Sequence, residues 1–159
     1  MSESQTLQRA QRDKRQGKAA STQAGEFIRE EMHHIRERVH GARSTRQAIA
    51  IGLSKARRAG VNLKLPAKGT TSPQTRRSAE RDFERGNGVA PKRKSSAKRA
   101  RASLRALQRE DTTAASPRAI GAQAHAAASR RSAGQRSAAA HRAAATRKGY
   151  GRGGRQTST

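Results

Sequence analysis

Large aliphatic and aromatic side chains are scarce in this chain, and their scarcity limits the core that it can build. Leucine, isoleucine, valine and phenylalanine account for 16 of the 159 residues. Alanine contributes 31 further apolar residues, but it favours helices without adding much buried surface. Chains with so few large apolar residues and a high net charge are largely disordered alone. One globular domain spanning the whole length is therefore excluded.

The net charge of +25 indicates what the chain binds. It arises from 36 lysines and arginines against 11 acidic residues. A field this strong attracts polyanions, and nucleic acid binds through the release of its condensed counterions. Basic helices that lie on membranes carry a Trp/Phe/Leu face, whereas this chain has no tryptophan and two phenylalanines. The composition therefore predicts a nucleic-acid partner and no membrane partner.

Other classes of protein are excluded by what the sequence lacks. No apolar run reaches the roughly 18 residues of a membrane span or the 7–15 of a signal-peptide core. Without cysteine there is no disulfide framework, thiol nucleophile or cysteine-based zinc site. We therefore expect a cytoplasmic location, at the nucleoid.

Charge and large apolar residues are distributed unevenly, and they divide the chain into four segments. Residues 91–159 contain 17 basic and two acidic residues, whereas most large apolar residues lie between 22 and 65. We predict a basic disordered arm (1–21), a helical hairpin domain (22–65), a linker with a short helix that is solvated or forms only when docked (66–90), and a basic Ala/Arg-rich tail, helical or disordered (91–159). The fold class is mostly α, with a small hairpin, solvated basic helices, a largely disordered tail and no extended globular core.

The hairpin is predicted from apolar periodicity and capping residues. Apolar residues recur at i, i+4, i+7 and i+11 from Ile28, which predicts a helix starting at Thr22 and stopping at Gly41. A capping box at Ser44 starts a second helix, which ends at Gly60. Residues 48–54 resemble the turn of a helix-turn-helix unit, but the short stretch after them favours one continuous helix. The expected core is Phe27, Ile28, Met32, Ile35, Val39, Ile49 and Leu53.

Three further helices have start signals in the second half of the chain. Ser72-Pro73 starts one that closes at Gly86, and Ser95 or Ser96 starts the next. Ser116-Pro117 starts the last, which should run to about Arg147 with a weak point at Gly134.

Residues 25–36 (GEFIREEMHHIR) and 40–61 (HGARSTRQAIAIGLSKARRAGV) resemble a set of small basic bacterial proteins labelled plasmid stabilization or DNA-binding proteins. Later segments of these proteins are similar to residues 76–82 and to the Ser-Ala-Ala-Ala repeats. Where they have Gly-Lys before the His-Gly, this chain has Arg38-Val39. The Ala/Arg/Lys tail also resembles the tails of linker histones. The resemblance implies DNA binding and plasmid or nucleoid association.

The residues that we expect to contact phosphates are lysines and arginines of the tail and of the hairpin. A phosphate-binding tail reads no base sequence, because it lacks a stiff recognition helix with base-pairing side chains. The expected contacts from the hairpin are Arg43, Arg46, Lys55, Arg57 and Arg58, and those from the tail are Lys92, Arg93, Lys94, Lys98, Arg99, Arg101, Arg130, Arg131, Arg136, Arg142, Arg147 and Lys148.

The sequence carries no strong signal for a metal or for catalysis. His33, Glu37 and His40 share a helix face that could bind Zn²⁺, and Glu30 lies four residues before His34. Polar pairing on a solvated face is the favoured interpretation. We therefore expect no metal, no cofactor and no enzymatic activity.

The function predicted from the sequence is largely sequence-independent binding of duplex DNA by a nucleoid- or plasmid-associated protein. The hairpin would dock the protein or form a homodimer, and the basic tail would neutralise phosphates. Two alternatives stay open. One is an RNA- or ribosome-associated basic protein, and the other is a protein-interaction adaptor that uses the 22–65 hairpin.

Overall fold

The computed structural model describes residues 3–89 and 96–152, and its regular structure is helical throughout. The chain divides into two compact units, residues 1–120 and 121–159. The helices are α1 (Glu3–Arg15), α2 (Ala20–Arg36), α3 (Thr45–Arg58), α4 (Pro73–Gly86), α5 (Ala97–Gln108), a 3-10 helix (Thr113–Ala115), α6 (Pro117–Ser129) and α7 (Ala133–Arg152). The predicted mostly α class is confirmed, whereas the predicted disorder of the tail stays a prediction.

The α2–α3 hairpin is the centre of the first unit. The Ser44 hydroxyl accepts a hydrogen bond from the Gln47 N–H at 3.2 Å, so α3 starts where the capping signal predicts. α3 continues through Gly52 without a turn, as favoured over a helix-turn-helix. A Cβ at Gly52 would lie 2.8 Å from the Ile28 Cα, so the two helices cross at a distance that only glycine permits.

α2 ends earlier than its apolar stripe predicts. Arg38 has a φ of 58°, and the Val39 N–H donates to the His34 carbonyl oxygen at 3.0 Å. With the bond from the Arg38 N–H to the Ile35 carbonyl oxygen, this is a Schellman motif with arginine at the left-handed position. The chain therefore leaves the helix axis before Val39, which is 49% exposed. Its expected place in the core is wrong for this reason.

Because Arg38 adopts the left-handed conformation, glycine at this position should be more stabilising than alanine. Arg38→Gly should raise the free energy of unfolding by about 1 kcal/mol relative to Arg38→Ala, because alanine retains the Cβ that disfavours the left-handed conformation. Both variants lose the same charge, so their difference isolates the backbone. Urea denaturation followed by circular dichroism measures it, and equal stabilities would contradict the assignment.

The N-terminal segment is folded, in contrast to the disordered arm predicted for 1–21. α1 packs against α2 and buries Thr6, Ala10 and Asp13. The Lys18 ammonium lies 2.7 Å from the Asp13 carboxylate, and Arg9 Nε lies 3.2 Å from Glu26 Oε2. Small side chains and ion pairs thus hold a helix that has few large apolar residues. The core cluster at this side contains Ala10, Ala24, Phe27, Ala56 and Val61, with Leu53 partly buried against it.

α4 also packs in this unit, against α3, which is the docked form of the two that the sequence left open. Its N-cap is Ser72, with Pro73 in the first turn, as predicted. Ala79 is buried against α3, and the Ser54 hydroxyl donates to Asp82 Oδ2 at 2.5 Å. α4 therefore covers the side of α3 that the hairpin alone would leave in solvent.

Residues 107–115, here called the strap, return from α5 to the hairpin. The Gly41 N–H donates to the Leu107 carbonyl oxygen at 2.8 Å, and the Ala42 N–H donates to the Asp111 carbonyl oxygen at 3.0 Å. A Cβ at Gly41 would overlap the Glu110 carbonyl, so only glycine admits the strap this close. The Asp111 carboxylate accepts from the hydroxyl and the N–H of Thr113, and these bonds lower the pKa of Asp111.

The end of the strap completes the other core cluster. The Thr45 hydroxyl donates to the Ala114 carbonyl oxygen at 2.5 Å, and Arg36 Nε donates to that of Ala115 at 3.0 Å. The cluster consists of Met32, Ile35, Ala42, Ala48, Ala114 and Ala115, with Ile28, Ile49 and Ile120 partly buried against it. The segment predicted as a tail (91–159) therefore contains a part of the core, at Ala114 and Ala115.

Candidate nucleic-acid interface

α5 presents nearly all of its surface to solvent. Ser96 caps it by accepting from the Arg99 N–H at 3.3 Å, as the sequence predicts. Every residue of the helix except Leu107 is exposed, and Leu104 is 44% exposed. Four side chains on it carry positive charge: Lys98, Arg99, Arg101 and Arg105. A solvated helix of 12 residues is marginal in isolation, so a ligand for these cations would add to its stability.

The helices beyond the strap carry cations without acidic neighbours in sequence. No aspartate or glutamate follows Asp111, whereas nine lysines and arginines do. Arg130, Arg131, Arg136, Arg142 and Arg147 are all exposed. Because this segment contains no aspartate or glutamate, mutual repulsion of its cations favours an external polyanion.

The break between α6 and α7 falls at residues 130–132 and not at the expected weak point, Gly134. The Ser132 hydroxyl accepts from the Gln135 N–H at 3.2 Å, while Gln135 Oε1 accepts from the Ser132 N–H at 3.1 Å. This reciprocal pair is a capping box, and it was recognisable in the sequence as Ser-x-x-Gln. It places Arg130 and Arg131 between two helices.

Among the hairpin cations, the structure separates accessible from engaged side chains. Arg43, Arg46 and Arg58 are exposed, as phosphate contacts require. Lys55 Nζ lies 2.9 Å from the buried Glu31 carboxylate. Arg57 is 8% exposed, and burial lowers the pKa of its guanidinium although the Asp82 carboxylate raises it.

Two of the phosphate contacts expected from the sequence, Lys55 and Arg57, are not supported by the structure. Lys55 is paired with the buried Glu31 carboxylate and Arg57 is itself buried, so neither side chain is placed to contact phosphates in this conformation. The expected contacts that lie outside the described residues are Lys92, Arg93, Lys94 and the side chain of Lys148.

The histidines and glutamates of α2 do not form the zinc face considered from the sequence. His33 and Glu37 make a partly exposed ion pair, with His33 Nε2 3.1 Å from Glu37 Oε1. His40 lies beyond the reversal at Arg38, and its Nε2 is 3.4 Å from Glu31 Oε1. Glu31, His34 and His40 each offer one ligand atom, and these atoms lie within 4.8 Å of one another. Sequence spacing missed this set because the chain turns between His34 and His40.

Comparison with known proteins adds no relative to these observations. No protein-family model, no curated protein and no solved structure matches the chain. In the described part of the chain, no helix is both long and apolar enough to cross a membrane. The resemblance to plasmid stabilization and DNA-binding proteins therefore stays a prediction, and the function has to be argued from the site.

Proposed function

We propose that this protein is a non-enzymatic nucleic-acid-binding protein whose principal ligand is the phosphate backbone of duplex DNA. One observation carries the proposal: the described cations of α5 and of the segment after Asp111 are exposed, and that segment contains no aspartate or glutamate. Exposed arginines bind phosphate oxygens through two parallel N–H donors, and each phosphate neutralised releases condensed counterions.

The interface fits binding to the backbone better than the reading of bases. α6 and α7 are rich in alanine, and small side chains allow a helix to lie close to a phosphate backbone. The described helices of this segment carry arginine at irregular spacing, without the clustered Asn, Gln and Arg that read base edges. The binding should therefore be largely independent of base sequence. Association with the nucleoid or with plasmids is the cellular role that this proposal implies.

The first unit would serve as the platform for these cations. The Gly41 N–H of the hairpin fixes the C-terminal end of α5 by donating to the Leu107 carbonyl oxygen. Arg43 and Arg46 are exposed at the start of α3. The hairpin's proposed use as a homodimer contact stays a prediction.

Fluorescence anisotropy with a duplex of about 30 base pairs and a matched RNA hairpin tests the proposal between roughly 50 and 300 mM salt. On the duplex we expect a slope of log K against log salt equivalent to about 6–10 released counterions. The RNA hairpin should bind more weakly at every salt concentration.

Equal or tighter binding of the RNA hairpin would transfer the proposal to an RNA- or ribosome-associated role. Weak binding of both nucleic acids without salt dependence would contradict it, because exposed cations that contact phosphates must release counterions. A duplex of different base composition serves as the control for sequence independence.

A further inference from the structure

The geometry points to a structural Zn²⁺ site formed by Glu31, His34 and His40. Imidazole nitrogens and a carboxylate oxygen are ligands that zinc prefers, and two histidines with one glutamate form a known zinc ligand set in which water takes the fourth position. The three residues come from the C-terminal half of α2 and from the loop after it, and their ligand atoms lie within 4.8 Å of one another. This inference is independent of the proposed nucleic-acid binding.

The hydrogen bonding of His40 leaves the correct nitrogen for a metal. His40 Nδ1 is 3.1 Å from the Gly41 carbonyl oxygen, which can only accept, so Nδ1 carries the proton. Nε2 then faces Glu31 Oε1 at 3.4 Å. Two ligands bound tetrahedrally to zinc, at the usual bond lengths of roughly 2.0–2.1 Å, lie about 3.4 Å apart.

Buried negative charge supports a cation at this place. Glu30 and Glu31 are both fully buried, and Lys55 supplies the only lysine or arginine nitrogen within 4.0 Å of either carboxylate among the described side chains. Neither oxygen of Glu30 has a hydrogen-bond partner in the described residues, and Glu30 Oε1 faces His34 Nε2 at 4.0 Å. Uncompensated buried charge is costly, and a divalent cation would compensate it.

The surroundings resemble the outer shell of a metal site. Lys55 Nζ contacts Glu31 Oε2, and the other oxygen, Oε1, is directed toward His40. The backbone carbonyl on His40 Nδ1 fixes the ring, as outer-shell partners of metal-bound histidines do. The side chain of His34 is 23% exposed, which gives an ion a route from solvent. The rings of His34 and His40 are 6.1 Å apart between centroids, so a small rotation brings both nitrogens to one ion.

The site would have a structural purpose. His40 precedes Gly41, whose N–H binds the Leu107 carbonyl oxygen of the strap. An ion held by Glu31, His34 and His40 would therefore join α2 to the loop that anchors α5.

Isothermal titration of the chelator-treated full-length protein with ZnCl₂, without nucleic acid, tests the site. We expect one tightly bound ion per chain and a higher melting temperature in its presence. Co²⁺ in place of Zn²⁺ should give the visible absorption of a four-coordinate site. His34→Ala tests a ligand that is partly exposed and so disturbs the fold least. It should weaken binding by more than the roughly 10- to 100-fold that the loss of an outer-shell partner costs.

Two matched controls keep the test specific. His33→Ala removes a neighbouring histidine that pairs with Glu37, and the double variant His125→Ala/His141→Ala removes the histidines of the second unit. Both should bind one Zn²⁺ with unchanged affinity. Absence of saturable binding by the unmodified protein would overturn the proposal and leave a direct contact between His40 and Glu31. Equal loss of binding in His33→Ala and His34→Ala would also overturn it.

Discussion

Replacing Arg130, Arg131, Arg136 and Arg147 by glutamine in the full-length chain should weaken duplex binding about 10³-fold at roughly 0.1 M salt. Each phosphate contact removed should lower the slope of log K against log salt by about 0.9, so the four together should lower it by about 3.6. Glutamine has nearly the helix propensity of arginine, so α7 should keep its helicity. Anisotropy titrations at several salt concentrations measure both quantities.

A matched variant separates local contacts from overall charge. Arg12, Lys14, Arg15 and Lys64 are exposed cations of the first unit, and their replacement by glutamine changes the net charge by the same amount. That variant should keep most of the affinity and the slope. If both variants lose affinity equally, the protein binds DNA through its net charge and the assignment to the tail is wrong.

Ile35→Ala should cost about 3–4 kcal/mol of unfolding free energy, whereas Val39→Ala should cost less than about 0.5 kcal/mol. Both residues belong to one apolar stripe of the sequence. Ile35 is fully buried in the cluster that includes Ala114 and Ala115, so alanine there leaves a cavity beneath the strap. Val39 is 49% exposed after the chain reversal at Arg38, so its truncation leaves none.

Chemical denaturation of both variants followed by circular dichroism gives these costs. A small domain has a total stability of about 5–15 kcal/mol, so the Ile35 variant loses a large part of it. Hydrogen exchange in residues 107–120 should rise in this variant, since the strap packs directly on the cavity. Similar costs for the two substitutions would mean that Val39 is buried and that the helix continues past Arg36.

Capping residues were predictable because their interactions are local. Ser44, Ser72 and Ser96 each accept from the N–H three residues later, and that bond depends only on the side chain and its own helix. The end of α2 was not predictable from the apolar stripe, because a non-glycine residue, Arg38, adopts the left-handed conformation.

Long-range packing was missed where small or charged side chains carry it. Thr6, Ala10 and Asp13 follow the i, i+4, i+7 spacing of a buried helix face, although none is a large apolar residue. The strap binds through backbone groups and alanines, which leave no hydrophobic signal. Glu31 was recognisable as buried from its spacing, because it lies four residues before Ile35 on the same helix face.

The pairing of Thr45 with Ala114 governs the order in which the newly synthesised chain can fold. These residues are 69 positions apart, and translation at about 5–20 residues per second takes roughly 3–14 s to cover that distance. During this interval α1 to α4 can associate, but Ile35 and Ala48 lack the alanines that cover them. A nascent chain that stops before Ala115 therefore presents an open apolar face, which is the kind of surface that chaperones and proteases recognise.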